Sequence, residues 1–91
     1  MKLSRDTRFS ISSDVLFQEV SGESVLLDLA SENYFGLNEI GTRIWTMLNE
    51  EKDVGEIICT LMSEYEVEQV DLEKDVDDLL ASLLEGGLIT V

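Results

Sequence analysis

The sequence contains no histidine, no proline and one cysteine in 91 residues. Without histidine, neither a Ser–His nor a Cys–His nucleophile pair can form. A zinc site would have to rest on Cys59 and carboxylates, which is not a recognised ligand set. A single cysteine excludes an internal disulfide and fits a reducing cytoplasm. Because Cys59 lies in the apolar stretch Ile57–Met62, we expect an inert thiol in the core, and we expect neither a metal nor a cofactor.

Basic residues are also scarce, with 6 lysines and arginines against 20 acidic residues. Thirteen of the acidic residues lie from Glu50 onward, where the basic residues are Lys52 and Lys74. The resulting negative charge has the wrong sign for binding nucleic acid, and it also disfavours binding to an anionic membrane. A basic or neutral partner remains allowed, and a role in solubility alone is the alternative.

Long apolar runs and catalytic motifs are missing as well. The longest apolar runs span a few residues, and no apolar segment of a secretory signal follows Met1, so we expect a cytoplasmic protein without a membrane span. The carboxylates between Asp71 and Asp78 lie on one very polar stretch, which favours a solvated helix face over an acid–base pair. We therefore expect a protein that is not an enzyme.

The first half of the chain predicts strands. Residues Val15–Val20, Val25–Leu29 and Tyr34–Leu37 are short apolar segments separated by turns at 21–24 and 30–33. Gly22 allows a positive φ in the first turn, and Val25, Leu27 and Leu29 share one face of the second strand. These segments predict a three-stranded antiparallel meander, to which Phe9–Ile11 adds a further edge piece.

The second half predicts three helices. Asn38 is the expected N-cap of a helix over Glu39–Glu50, in which Ile44 and Trp45 face the core. Asp53 and Glu56 form a capping box before the second helix, and Asp71 caps the third. Gly86 and Gly87 suit the left-handed end of that helix, and residues 88–91 form a closing strand. The fold class is α+β and winged-helix-like, in a single domain over 1–91 with a flexible N-terminal arm at 1–8.

An outer strand of this meander offers a binding edge. Tyr34–Leu37 is the last strand, so unpaired N–H and C=O groups on its outer side can accept an extended peptide as a fourth strand. The third helix lies beside that strand and offers the other wall of a groove, formed by Val76, Leu79 and Leu83. We expect Asp75 and Asp78, which flank this apolar stripe, either to meet basic peptide groups or to be solvated.

The residues of the outer strand have different expected orientations. We place Phe35 and Leu37 in the core and Tyr34 on the outside or at the groove, where its hydroxyl stays hydrated. Gly36 either allows close approach of a second backbone or marks a bulge. Because proline removes the backbone N–H, substitution at position 34 or 35 should abolish peptide binding where the N–H points outward and destabilise the fold where it points to the neighbouring strand. The register that decides which position is which is not readable from the sequence.

Three stretches of the sequence resemble the PqqD-like family. They are Val25–Leu29, the block Tyr34–Gly41 followed by Ile44 and Trp45, and the late stretch from Lys74 to Ile89. The resemblance implies a RiPP recognition element, a non-catalytic module that binds the leader of a ribosomally made precursor peptide. The chain is most similar to the stand-alone protein of split lasso-peptide systems, which presents the precursor to a separate leader protease and a macrocyclase. The implied peptide-binding residues are Asn33, Tyr34, Phe35, Gly36, Leu37, Asp75, Val76, Asp78, Leu79 and Leu83.

Two other functions share this predicted fold. A PqqD-type peptide chaperone in pyrroloquinoline quinone biosynthesis would use the same groove for a different client. A winged-helix transcription factor is disfavoured by the net charge of −14. Neighbouring genes would separate the first two functions.

Overall fold

A computed structural model of the protein describes residues 4–91. Three antiparallel strands are followed by three helices, which confirms the predicted α+β, winged-helix-like class. The elements are β1 (Ser10–Ile11), β2 (Val15–Val20), β3 (Glu23–Asp28), β4 (Asn33–Leu37), α1 (Glu39–Asn49), α2 (Val54–Glu64), α3 (Gln69–Glu85) and β5 (Ile89–Thr90).

The two-residue turn between β2 and β3 is tighter than predicted. Ser21 and Gly22 both have positive φ angles, of 54° and 86°, which is the type I′ geometry that matches the twist of a hairpin. The turn closes directly on the facing pair Val20 and Glu23, so β3 begins two residues before the predicted Val25.

The turn between β3 and β4 is held by one aspartate. The carboxylate of Asp28 accepts hydrogen bonds from the Ala30 N–H (3.1 Å) and the Ser31 hydroxyl (2.8 Å). This arrangement is an Asx turn, in which the side-chain oxygen takes the place of a backbone carbonyl as hydrogen-bond acceptor. It allows Asn33 to face Asp28 as the first pair of the β3–β4 ladder.

The predicted helix caps are confirmed for α1 and α2 and wrong for α3. Asn38 accepts the Gly41 N–H at 2.8 Å, and both bonds of the Asp53–Glu56 capping box are present. However, α3 begins at Gln69 with Glu68 in the N-cap position and no side-chain cap, so Asp71 lies within the first turn. There, its negative charge still interacts favourably with the positive, N-terminal end of the helix dipole. At the other end of α3, Gly87 takes the expected left-handed conformation (φ 75°).

The core lies between the inner face of the sheet and the three helices. Ile44 and Trp45 are buried, as predicted. Cys59 is exposed, so its assignment to the core is wrong. The reason is helical periodicity: Ile57, Ile58 and Leu61 take the inward face of α2, and position 59 then points away from it.

The first and last strands pair with each other. Ser10 faces Thr90 and Ile11 faces Ile89 in a separate two-stranded sheet. The predicted edge piece and closing strand therefore exist, but they do not extend the meander. Residues 1–3 of the expected flexible arm lie outside the described residues, and residues 4–8 run beside α2, whose Gly55 N–H donates to the Arg5 carbonyl at 2.7 Å.

Residues 4–91 contain no helix that is both long and apolar enough to cross a membrane.

Candidate functional site

Strand β4 is an outer strand of the three-stranded sheet. The strand order is β2-β3-β4, and within residues 4–91 no further strand pairs with β4. Its pairing with β3 is continuous from Asn33 to Leu37, opposite Asp28 to Ser24. The alternative of a bulge at Gly36 is therefore wrong, and the strand presents a regular edge.

The hydrogen-bonding register of β3 follows from the ladder on its other side. The Leu29 N–H donates to the Asp14 carbonyl at 2.8 Å, and the two-residue turn closes on Val20 and Glu23. In an antiparallel ladder, hydrogen-bonded pairs alternate with non-bonded pairs. The odd-numbered residues of β3 therefore bond to β2, and its even-numbered residues bond to β4.

This register determines which groups of β4 point outward. Phe35 faces Leu26 and Leu37 faces Ser24, so both direct their N–H and C=O groups toward β3. The backbone groups of Tyr34 and Gly36 consequently point to the open side. The order that the sequence left undecided is thus resolved: Phe35 is the ladder position and Tyr34 is the edge position.

A groove lies between the open edge of β4, the start of α1 and the middle of α3. Its volume is about 490 Å³. We call it the β4–α3 groove, and it is lined by Gly36, Leu37, Asn38, Ile40, Gly41, Ile44, Asp75 and Leu79.

A smaller hollow of about 280 Å³ lies near the other end of β4. It is bordered by Asn33, Tyr34 and Phe35 on the strand side and by Gly86 after α3. Since Asp75 and Leu79 lie near the end of β4 and Gly86 lies near its start, α3 runs antiparallel to the strand. An extended segment lying along β4 would pass both openings.

The predicted residues of β4 are all beside this edge. Leu37 is buried and Phe35 is half-buried against the core, as predicted. Tyr34 is 74% exposed, also as predicted, and Asn33 and Gly36 are exposed. A Cβ atom at Gly36 would have no atom within 4 Å, so this glycine leaves the space beside the strand open.

The predicted residues of α3 divide into two groups. Asp75 and Leu79 line the groove, because residues four apart lie on the same side of a helix. Asp78 is exposed but lies outside the lining, and its carboxylate is 3.7 Å from the Lys74 ammonium group. Val76 and Leu83 are fully buried (0%).

The placement of Val76 and Leu83 in the groove wall is therefore a correction. Together with Leu80, they occupy the inward face of α3, at spacings of four and three residues, and pack in the core. Only the flank of this apolar stripe, at Leu79, reaches the groove.

Sequence reasoning missed the contribution of α1. Asn38, Ile40 and Gly41 line the groove, although Asn38 was predicted only as a cap. A Cβ atom at Gly41 would lie 3.2 Å from the Leu37 Cδ2 atom and 3.3 Å from the Asn38 Oδ1 atom. A glycine in the first turn of a helix was the signal for this close approach to β4.

The chemistry of the groove is suited to binding an extended chain. Its walls combine apolar side chains with unpaired backbone groups, and Asp75 is the charged side chain in the lining. The lining contains no cysteine or hydroxyl side chain that could serve as a nucleophile. Such a surface offers strand pairing, apolar contacts and one site for a positive charge.

Comparisons with known proteins agree with this geometry. The family model for coenzyme PQQ synthesis protein D (PqqD) matches residues 23–89. No curated protein gives a significant match.

Two solved structures are similar over most of the chain. One, described as TbiB1 in complex with the TbiA(beta) leader peptide, is 38% identical with a TM-score of 0.81, covering 87% of this chain and 92% of that chain. Another, a lasso peptide synthetase B1 complexed with the leader peptide, is 30% identical with a TM-score of 0.82, covering 93% of this chain and all of that one (100%). The match over β3, β4 and all three helices shows that this chain belongs to the PqqD family.

Proposed function

We infer that this protein binds the leader region of a ribosomally synthesised precursor peptide in the β4–α3 groove, by addition of a strand to β4. The observation that carries the proposal is the open edge of β4, where the backbone groups of Tyr34 and Gly36 point outward beside an apolar groove. Both similar solved structures contain a leader peptide, which supports the same class of ligand here.

The expected binding energy requires both parts of the site. Tyr34 and Gly36 together offer four backbone groups, and each net hydrogen bond contributes about 0.5–1.5 kcal/mol. The loss of translational and rotational freedom on association costs at least about 4 kcal/mol. Strand pairing alone therefore gives weak binding, and apolar side chains of the leader must fill the space beside Ile40 and Leu79.

The proposed role is non-catalytic and takes place in the cytoplasm. The protein holds the leader and presents the precursor to a separate leader protease and a macrocyclase of a lasso-peptide system. The match to the PqqD family and the leader peptides in both similar solved structures support this role.

A second candidate function follows from the family match. A peptide chaperone in coenzyme PQQ synthesis would use the same edge and groove for a different client. The two functions differ in the peptide and in the neighbouring genes, which would encode a protease and a cyclase in one case and a radical enzyme in the other.

Fluorescence anisotropy tests the proposal directly. The probe is a labelled synthetic leader of the precursor peptide encoded beside this protein's gene, titrated with the purified protein. We expect saturable binding, and mass spectrometry should recover the peptide unchanged. Failure to bind would contradict the proposal, whereas cleavage by the purified protein would contradict the non-catalytic role.

A further inference from the structure

The N-terminal arm, residues 4–8, is docked on the start of α2. The carbonyl groups of Arg5 and Thr7 accept the N–H groups of Gly55 (2.7 Å) and Val54 (3.1 Å). Both donors lie in the first turn of α2, where N–H groups have no partner inside the helix. The backbone of the arm therefore adds to the capping of α2.

Two further features fix the position of the arm. A Cβ atom at Gly55 would lie 3.2 Å from the Arg5 carbonyl oxygen, so this glycine permits the close approach of the arm to α2. Phe9, which follows the arm directly, is buried in the core. Because the backbone is held in this way, the Arg5 side chain starts from a defined place.

From that place the Arg5 side chain reaches α3. Its guanidinium group forms an ion pair with one carboxylate oxygen of Glu73. The other carboxylate oxygen accepts a side-chain N–H of Gln69 at 3.1 Å. Glu73 thus joins the arm to the first residue of α3.

The start of α3 needs such a tie more than its end does. Within residues 4–91, no side chain caps the start of α3, and its first three residues are exposed. At the other end, the Leu88 N–H donates to the Leu83 carbonyl at 3.0 Å, and the following strand β5 is paired with β1. An end without a cap is less stable, so the ion pair of Glu73 should matter most in the first turns.

Those turns support the leader groove. In an α-helix the Asp75 N–H donates to the carbonyl of Asp71, so loosening of the first turn extends to Asp75. Glu73 is rotated by about 200° from Asp75 around the helix axis. The arm therefore holds α3 from the side opposite to the one that lines the groove with Asp75 and Leu79.

We propose that Arg5 is a positioning residue for leader binding. Its ion pair with Glu73 holds the first turns of α3 in the geometry in which Asp75 and Leu79 contact the leader. Arg5 itself lies outside the groove lining. The inference rests on the proposed leader-binding function and adds to it a residue that acts through α3.

Hydrogen exchange in the free protein tests the first step. Arg5→Gln should raise the exchange rates of the amides of residues 72–75 by up to about fivefold, the range of an exposed ion pair. The amides in the C-terminal half of α3 should keep their rates. Arg8→Gln is the matched control, because Arg8 belongs to the same arm but its ion pair, at 4.0 Å, is with Glu56 of α2.

Leader binding tests the second step, with the labelled synthetic leader as the probe. Arg5→Gln should bind the leader up to about fivefold more weakly than the original protein, whereas Arg8→Gln should bind it equally well. Both variants have the same net charge, so a general electrostatic effect would change both. The double variant Arg5→Glu with Glu73→Arg reverses the ion pair and should recover binding. Circular dichroism should show the same fold in every variant.

The outcomes separate positioning from other effects. Weaker binding by Arg5→Gln alone, with recovery in the double variant, supports the proposal. Unchanged affinity of Arg5→Gln overturns it, even if exchange is faster, because the ion pair would then only stabilise the helix. Equal weakening by Arg5→Gln and Arg8→Gln also overturns it, since net charge would be the cause. If the original protein does not bind the leader, the proposed function fails, and this inference fails with it.

Discussion

The two outer strands of the sheet both leave backbone groups unpaired, but they differ in what lies beside them. Strand β4 runs along α3 and the start of α1, which supply the walls of the β4–α3 groove. Strand β2 has exposed side chains along nearly its whole length. Both edges can pair with a strand, but the helices beside β4 add apolar and charged contacts that select among peptides.

The two edges would also recognise an added strand in different ways. At β4, a ligand is recognised by side chains that fit the space near Ile40, Asp75 and Leu79. At β2, the side chains along the edge are exposed, so an added strand would be held mainly by backbone pairing. Substitutions along β4 and α3 can therefore test the groove without affecting the β2 edge.

The largest expected effect is the loss of folding in Phe35→Pro. Phe35 directs its N–H toward Leu26 and packs against the core. Proline removes both the ladder bond and the aromatic contact, so we expect a destabilisation of about 3 kcal/mol or more. Urea denaturation followed by circular dichroism measures it, and an unchanged midpoint would show that the register is wrong.

Tyr34→Pro should affect binding and leave the fold intact. Its N–H points to the open side and its side chain is 74% exposed, so proline removes no hydrogen bond of the β3–β4 ladder. Proline removes the outward N–H that would bond to the leader, and its ring occupies space beside the edge. We therefore expect leader binding to weaken about tenfold or more. The same anisotropy titration measures this loss, with Tyr34→Ala as the control that keeps the N–H.

Leu79→Ala tests the contribution of the helix to the β4 edge. Leu79 and Leu84 are both partly buried against the core from α3, but only Leu79 is among the groove-lining residues. Both alanine variants should lose similar stability, whereas only Leu79→Ala should weaken leader binding, by about tenfold. Equal binding by the two variants would remove α3 from the recognition surface.

The smallest expected effect is that of the charge in the groove. Asp75 lines the groove, and Asp78, one turn away, does not. For a leader with a lysine or arginine near its anchor, Asp75→Asn should weaken binding by up to about fivefold, and added salt should reduce the difference. Asp78→Asn is the matched control. If both variants bind like the original protein, Asp75 has no role in recognition.

Local sequence signals predicted most of the fold. The meander, the Asn38 cap and the Asp53–Glu56 box depend on residues near one another in the chain, and the structure contains all of them. The pairing of β1 with β5 could not be predicted in this way, because it joins segments almost a chain length apart. Each is also only two residues long, too short for a periodic pattern.

The candidate site was predictable in outline and not in detail. The outer position of Tyr34–Leu37 followed from strand order, whereas the outward direction of the Tyr34 groups required the register of two ladders. On α3, an apolar stripe was visible, but the sequence did not reveal that its centre, at Val76 and Leu83, is covered completely. Small differences in helix rotation decide which flank of a stripe reaches the surface.

Hydrogen exchange of single backbone amides tests the central claim most directly. By NMR, the amides of Phe35 and Leu37 should be protected in the free protein, because they bond to β3, whereas those of Tyr34 and Gly36 should exchange rapidly. Saturation with leader peptide should slow exchange at Tyr34 and Gly36 selectively. If leader binding leaves these two amides unchanged, strand addition at β4 is contradicted.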